Sequence, residues 1–213
     1  MTARGKFIAL EGGEGTGKST QARKLAEALE QAGHEVILTR EPGGTTGAEA
    51  IRQLLLNPPG AGWGARAEAL LFAAARSDHV EQLIAPALVR GAWVVCDRFL
   101  DSSRAYQGIA RDMGDDAITR LHALGSGGLR PDLTLVITVP GKISAARIAV
   151  RDGDASDAIG GRDAAYHRRV NDAFEQFAAE DPDRFAIIDG DAAIEVIHER
   201  ILQSVQERLE PAS

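Results

Sequence analysis

Gly-Gly-Glu-Gly-Thr-Gly-Lys-Ser, residues 12–19, matches the phosphate-binding pattern GxxxxGK followed by Ser or Thr. A short apolar run at 6–11 precedes this loop, and a helical pattern at 18–32 follows it. A strand before and a helix after are the context that the pattern needs. Its glycines let successive backbone N–H groups turn inward at the positive end of a helix dipole. The loop, called the P-loop below, is therefore predicted to bind a nucleoside triphosphate.

Separate roles are predicted for the side chains of the P-loop. Lys18 is expected to place its charge at the β- and γ-phosphates, and Ser19 to ligate the Mg²⁺ that accompanies ATP. Glu14 is unusual here, because a carboxylate repels a triphosphate unless it turns toward a hydroxyl donor or a cation. The predicted ATP-binding residues are Gly12, Gly13, Glu14, Gly15, Thr16, Gly17, Lys18, Ser19 and Thr20.

Outward from the P-loop, short apolar runs alternate with longer stretches of helical period, which is typical of a parallel sheet flanked by helices. The breaker-rich segment 57–64 is interpreted as a connector between two helices and not as a domain boundary. We expect one α/β domain over residues 1–213, with a doubly wound, five-stranded parallel sheet. The strands are predicted at 6–11, 35–39, 93–97, 133–139 and 185–188, and the helices after the first at 65–90, 143–151, 163–180 and 192–209.

Composition excludes several classes of protein. The 213 residues are 44% hydrophobic and 26% charged, values typical of globular chains. A formal net charge of −7 repels polyanions, so nucleic acid is not an expected partner. The single cysteine cannot form an internal disulfide, and the five histidines show no metal-ligand spacing. No apolar run reaches the roughly 18 residues of a membrane span, so a cytoplasmic protein is expected.

A second group of charged residues is predicted beside the P-loop. The strand at 93–97 ends in Asp97, where a carboxylate at the carboxyl edge of the sheet can hold Mg²⁺ or its waters, and Arg98 follows it. The strand at 35–39 is followed by Arg-Glu-Pro-Gly-Gly-Thr at 40–45, which should face the same crevice. A guanine-reading Asn- or Thr-Lys-x-Asp loop is absent from the sequence, which disfavours a GTPase.

The P-loop resembles, together with four further motifs, the thymidylate kinases of the bacterial type. These motifs are REPGGT at 40–45, AAARSDHV at 73–80, DRFLDSSRAYQG at 97–108 and RPDLTLVITV at 130–139. The resemblance implies the P-loop nucleoside monophosphate kinase fold with a short flap, the LID, at about 152–162. It also implies transfer of the ATP γ-phosphoryl group to dTMP with Mg²⁺, giving dTDP for dTTP synthesis, and a homodimer.

The resemblance also assigns roles around the acceptor. Arg98 matches the arginine that grips the 5′-phosphate, and Glu14 the acidic residue beside the 3′-hydroxyl. Phe72 matches the aromatic ring that stacks on thymine, Arg76 the donor to a thymine carbonyl, and Tyr106 the ring that crowds the 2′ position. The full set implied for dTMP is Glu14, Arg40, Pro42, Phe72, Arg76, Arg98, Ser102, Ser103, Tyr106 and Gln107.

The sequence departs from the family at its catalytic arginine. Some thymidylate kinases carry this arginine in the P-loop, where Gly15 stands here, and others carry it in a flap motif Asp-Arg-x-Glu. That motif reads Asp-Ala-Ile-Gly at 157–160. Arg147, Arg151 and Arg162 remain as candidates, and Arg151 is favoured because it lies at the near edge of the flap. The predicted catalytic residues are Lys18, Arg98, Arg151 and Arg162.

Two alternatives stay open at this point. A kinase for another nucleoside monophosphate would use the same fold. A regulatory P-loop ATPase would hydrolyse ATP without an acceptor, but it gives no reason for Arg76, Arg98 and Tyr106 to surround the P-loop.

Overall fold

The computed structural model describes residues 3–152 and 163–209. For residues 151 and 152 it describes only the helix to which they belong. Its centre is a five-stranded sheet in the order β2-β3-β1-β4-β5, and every pair of neighbours is parallel. The predicted sheet is confirmed, and each strand begins and ends within one residue of its predicted bounds. The strands are β1 Phe7–Glu11, β2 Val36–Arg40, β3 Trp93–Asp97, β4 Leu133–Thr138 and β5 Phe185–Asp189.

The strand sequences reflect how deeply each strand is covered. All five residues of β1 are buried, because this central strand has helices on both faces. The edge strand β2 is only partly buried along its length. Continuous apolar runs in β1 and β3 therefore identify the interior of the sheet.

Helices cover both faces of the sheet. The long pattern predicted at 65–90 is not one α-helix, because the π-helical turn Val80–Ile84 joins α3 to α4. A second π-helical segment, Arg104–Ile109, continues α5. Neither of these two elements was predicted, and α6 was not predicted either. The α-helices are α1 Lys18–Gln31, α2 Thr46–Leu56, α3 Ala65–His79, α4 Ala85–Val89, α5 Leu100–Ser103, α6 Asp115–Ser126, α7 Gly141–Asp152, α8 Ala164–Glu180 and α9 Ile194–Leu209.

The core is divided by the sheet. On one face, Leu25 of α1 and Ile201 of α9 pack with Leu10 of β1. On the other face, Phe7 of β1 meets Phe99 with ring centroids 4.8 Å apart. Side chains from α8 form a third cluster with those of β4 and β5. Because β1 is held from both sides, its carboxyl end gives the P-loop a fixed origin.

Candidate active site

A cavity of about 540 Å³ lies at the carboxyl edge of the sheet. The carboxyl ends of three adjacent strands meet there, since Asp97 of β3 pairs with Leu10 of β1 and with Arg40 of β2. Ligands bind at this edge in open α/β sheets. The cavity is lined by the P-loop, the loop after β2, α3, and the segment that follows β3.

The P-loop keeps its shape through its glycines. Gly12 has a φ of 132°, and a Cβ added there would lie 2.3 Å from the carbonyl oxygen of Ile137. No other residue type fits this close approach without displacing the backbone of β4.

The ammonium group of Lys18 points back into the P-loop. Nζ donates to the carbonyl oxygen of Gly13 at 2.5 Å and to Oγ1 of Thr16 at 3.3 Å. Burial, and then the nearby Arg98 guanidinium, lower the pKa of Lys18 from 10.5 to about 8. An anion in the P-loop would favour the charged form of this lysine, as its predicted role requires.

Helix α7 lies against the P-loop. Ser144 Oγ donates to the carbonyl oxygen of Glu14 at 2.7 Å, and a terminal nitrogen of Arg147 lies 3.4 Å from the carbonyl oxygen of Thr16. A Cβ at Gly15 would come within 2.7 Å of the Ser144 carbonyl oxygen. Helix α7 therefore leaves no room for an arginine at position 15, which explains why glycine stands there.

The proposed metal ligands are in contact with each other. Ser19 Oγ donates to Oδ2 of Asp97 at 2.5 Å, beside the mouth of the P-loop. A hydroxyl and a carboxylate are the oxygen donors that Mg²⁺ prefers. These two residues fit the ion that the sequence predicts.

Arg98 occupies an unusual backbone conformation, with a φ of 70°. Its guanidinium donates to Glu14 Oε1 at 2.6 Å, to the carbonyl oxygen of Gly12 at 3.1 Å and to Ser102 Oγ at 3.1 Å. The carboxylate of Glu14 thus turns toward a cation, one of the two arrangements that a carboxylate in an anion-binding loop requires.

Glu11 was not predicted as a site residue, although it organises the turn that carries Arg98. Its buried carboxylate accepts hydrogen bonds from the backbone N–H groups of Phe99 at 2.8 Å and Ser102 at 3.0 Å, and from Ser102 Oγ at 2.6 Å. Burial, and then the carboxylate of Asp101, raise the pKa of Glu11 from 4.5 to about 7. The sequence does contain a feature that could have identified Glu11 as a site residue: it is a carboxylate at the end of a buried strand, directly before the P-loop.

The residues expected around the base converge on the cavity. Phe72 is half-buried and lines it, together with Ser103, Tyr106 and Gln107. The ring of Tyr106 lies under the Arg98 guanidinium, 5.1 Å from centroid to Cζ. Tyr106 and Gln107 belong to the π-helical segment, a feature frequent at functional sites.

Arg76 is held by a second buried carboxylate, Glu41, which was not predicted as a site residue. Its Nε donates to Glu41 Oε2 at 2.7 Å, and one terminal nitrogen donates to Ser103 Oγ at 2.9 Å and to the Phe99 carbonyl oxygen at 3.0 Å. The other oxygen of Glu41 lies 3.0 Å from His79 Nδ1. Glu41 fixes the direction of the Arg76 guanidinium.

The loop 40–45 is braced from outside the cavity. Arg40 is exposed and pairs with Glu49 at 3.0 Å. The carbonyl oxygen of Pro42 accepts a hydrogen bond from Arg52 at 2.7 Å. Pro42 and Arg40 line the cavity as predicted, and Arg52 was missed because nothing in the sequence links it to this loop.

The flap predictions fall largely outside the described residues. These predictions concern the flap at about 152–162, Arg162, and the side chain of Arg151. Arg147 was the less favoured candidate, and it is described: it lines the cavity and reaches the P-loop from α7.

The raised pKa of Glu11 predicts how stability depends on pH. Because the folded protein holds this proton more tightly than the unfolded chain, the contribution of Glu11 to stability is fully present below about pH 4.5. It is lost as the pH rises to about 7, and the loss amounts to roughly 3 kcal/mol. Glu11→Gln keeps an oxygen that accepts from the two backbone N–H groups and cannot titrate, so its stability should decline less over this range. Urea denaturation at several pH values measures the difference.

The control is Glu175→Gln, which makes the same change on the exposed face of α8. This variant should follow the wild-type pH dependence. Parallel stability curves for the wild type and Glu11→Gln would contradict the assignment.

Comparison with known proteins agrees with this geometry. The sequence model of a family described as thymidylate kinase matches residues 10–201. A thymidylate kinase of Rhizorhabdus wittichii is 52% identical over 205 residues, which cover 96% of this chain and 99% of that protein. A thymidylate kinase of Rhodopseudomonas palustris is 51% identical over 214 residues, covering 98% of this chain and 92% of that protein.

Structural comparison points to the same family. The crystal structure of thymidylate kinase from Ehrlichia chaffeensis superposes with a TM-score of 0.79 at 31% identity, covering 95% of this chain and 100% of that one. The predicted P-loop nucleoside monophosphate kinase fold is thereby confirmed. With motifs, geometry and nearly full-length relatives in agreement, this chain belongs to the thymidylate kinase family.

Proposed function

We propose that this protein transfers the γ-phosphoryl group of ATP to dTMP, forming dTDP, with Mg²⁺ bound beside the P-loop. The main support for this proposal is that the expected donor and acceptor groups line the same cavity. The P-loop lysine, Lys18, and the groups expected to hold the acceptor, Arg76 and Arg98, all line it. Donor and acceptor can therefore meet without leaving the protein.

The donor end consists of the P-loop and two oxygen ligands. The inward N–H groups of the loop and Lys18 would hold the triphosphate. Ser19 and Asp97 would hold Mg²⁺. When bound, the ion neutralises phosphate charge and aligns the phosphate oxygens.

The acceptor end is formed by the segment after β3 and by α3. Arg98 would turn part of its guanidinium from the protein oxygens to the 5′-phosphate of dTMP, while Glu14 receives the sugar hydroxyl. Phe72 would stack on the base and Arg76 donate to its carbonyl. The buried Tyr106 limits space at the sugar, which favours deoxyribose.

This chemistry needs positioning more than covalent participation. The acceptor phosphate is already ionised near neutral pH, since its second pKa is about 6. Transfer then depends on aligning donor and acceptor oxygens and on neutralising charge around the moving phosphoryl group. We infer that Lys18 and Arg98 do this without a phosphorylated side chain.

Further properties are proposed on the family pattern. Within the described part of the chain, no helix combines the length and apolar character needed to cross a membrane. Helix α3 packs against α2 and α6, and these three helices expose Leu54, Leu70 and Leu124, which supports a homodimer. We propose a cytoplasmic, single-domain homodimer.

An acceptor panel tests the reaction. A coupled assay with ATP and dTMP, dUMP, UMP, CMP, AMP or GMP should give the highest kcat/KM for dTMP. Arg98→Ala should lower that value by about 10²-fold or more, because one fixed donor to transferring charge is worth that much. Preference for a purine monophosphate would overturn the thymidylate assignment. ATP hydrolysis unaffected by any acceptor would favour the ATPase alternative.

The missing catalytic arginine is tested by three single variants: Arg147→Ala, Arg151→Ala and Arg162→Ala. An arginine that meets the transferring phosphoryl group should lower kcat at least tenfold when removed, which corresponds to about 1.4 kcal/mol of barrier. Arg151 is the residue that we propose for this role. Arg147 is the alternative, because it lies beside the P-loop. If no variant loses tenfold in kcat, the enzyme works with one cation fewer than its relatives.

A further inference from the structure

We propose that Glu68 is a positioning residue that sets which bases the enzyme accepts, by fixing the side-chain amide of Gln107. In that position Gln107 offers the cavity a hydrogen-bond acceptor, and Arg76 offers a donor. This pair matches the imide edge of thymine and opposes the corresponding edge of cytosine. The proposal rests on the proposed function and names a determinant of its specificity.

The contact between Glu68 and Gln107 is buried. The Gln107 side-chain nitrogen donates to Glu68 Oε1 at 2.9 Å, and both residues are at most 5% exposed. An ionised carboxylate only accepts hydrogen bonds. The amide must therefore present its NH₂ group to Glu68, and its carbonyl oxygen is the group left for the cavity that Gln107 lines.

A second partner prevents Glu68 from turning away. Arg111 donates to Glu68 Oε2 at 2.5 Å, so each carboxylate oxygen has its own donor. Arg111 itself also approaches the carbonyl oxygen of Trp63, at 3.4 Å. The carboxylate is thus held between a cation on its outer side and the amide on its inner side.

Arg76 supplies the opposite polarity. Among the described residues, Glu41, Ser103 and Phe99 occupy its Nε and one terminal nitrogen. The other terminal nitrogen remains for a ligand, and a guanidinium can only donate. Because Arg76 donates to Ser103, four residues before Gln107, the donor on α3 is held against the segment that carries the acceptor.

This pairing discriminates between pyrimidines. Thymine presents a carbonyl oxygen next to a ring N–H, which complement Arg76 and the Gln107 carbonyl. Cytosine presents an amino group next to an unprotonated ring nitrogen, so donor would face donor and acceptor would face acceptor. Buried polar groups left without partners make such a mismatch costly.

Replacing the carboxylate by an amide should reverse the polarity. In Glu68→Gln, Arg111 can only donate, so the new amide turns its oxygen to Arg111 and its NH₂ group to residue 107. Gln107 must then turn its carbonyl oxygen toward residue 68, and its NH₂ group is left facing the cavity. Glu68→Asp is shorter by one methylene but still accepts only, so it keeps the original polarity.

The experiment compares kcat/KM for dTMP and dCMP, using dCMP as a competitive inhibitor where its turnover is too slow. In Glu68→Gln, the ratio of dTMP to dCMP should fall at least about tenfold, with dCMP unchanged or improved. Glu68→Asp should lower activity but retain the ratio. Glu35→Gln makes the same change in the exposed Glu35–Arg90 pair and should alter neither value.

The following outcomes would overturn the inference. Glu68→Gln could lower both kcat/KM values equally, which indicates a structural role. The ratio could stay within about threefold of wild type, or Glu68→Asp could lose the ratio as well. If Glu68→Gln does not fold, Glu68→Ala frees the amide to turn and should lower the ratio by a smaller factor, and an unchanged ratio rejects the inference. A wild-type enzyme that does not select dTMP would instead reject the proposed function.

Discussion

The carboxylate of Glu11 is the contact on which the site depends. It ends the central strand and accepts hydrogen bonds from the turn after β3, so it joins the origin of the P-loop to the segment that carries Arg98. The donor and acceptor halves of the cavity are thereby held at a fixed distance. The positive φ of Arg98 is tolerated because this turn is tied down on its inner side.

Glu41 and Glu68 fix the positions of other groups in the same way on the acceptor side. Each is a buried carboxylate that binds one group lining the cavity, Arg76 or Gln107, and also a second partner behind it. Removing either carboxylate would leave a buried donor without its partner, which is a large penalty inside a protein. The groups that face the ligand are consequently oriented before it arrives.

This arrangement also explains how an acidic chain can bind highly charged substrates. The net charge of −7 repels polyanions at long range. Lys18, Arg76 and Arg98 are gathered at one edge of the sheet, where burial reduces screening by water. Local placement, and not overall charge, determines what the protein binds.

Sequence alone was sufficient for the sheet and the P-loop, because apolar runs and glycine spacing are local signals. It missed α5 and the π-helical segment, since residues 100–109 are mostly small or polar and show no helical stripe, and it also missed α6. Phe72 and Arg76 were found through the resemblance to thymidylate kinases, and their spacing of four puts both on one face of a helix. Glu68 continues that spacing by another four residues and was still missed, because its partners Gln107 and Arg111 lie about forty residues further along the chain.

Glu11, Glu41 and Glu68 were all missed for this reason. Each acts through a partner from a distant segment, and only the tertiary structure shows which partner it is. By contrast, Lys18 and Ser19 could be assigned because their roles follow from their positions within one loop.

A crystal structure with dTMP and a nonhydrolysable ATP analogue tests whether the buried carboxylates orient the site before ligands bind. We expect Glu11, Glu41 and Glu68 to keep their present partners in that complex. Lys18 should leave the Gly13 carbonyl oxygen for a phosphate, and Arg98 should exchange a protein oxygen for the 5′-phosphate. A complex in which the carboxylates release Ser102, Arg76 or Gln107 to engage the ligands would show that they do not orient the site in advance.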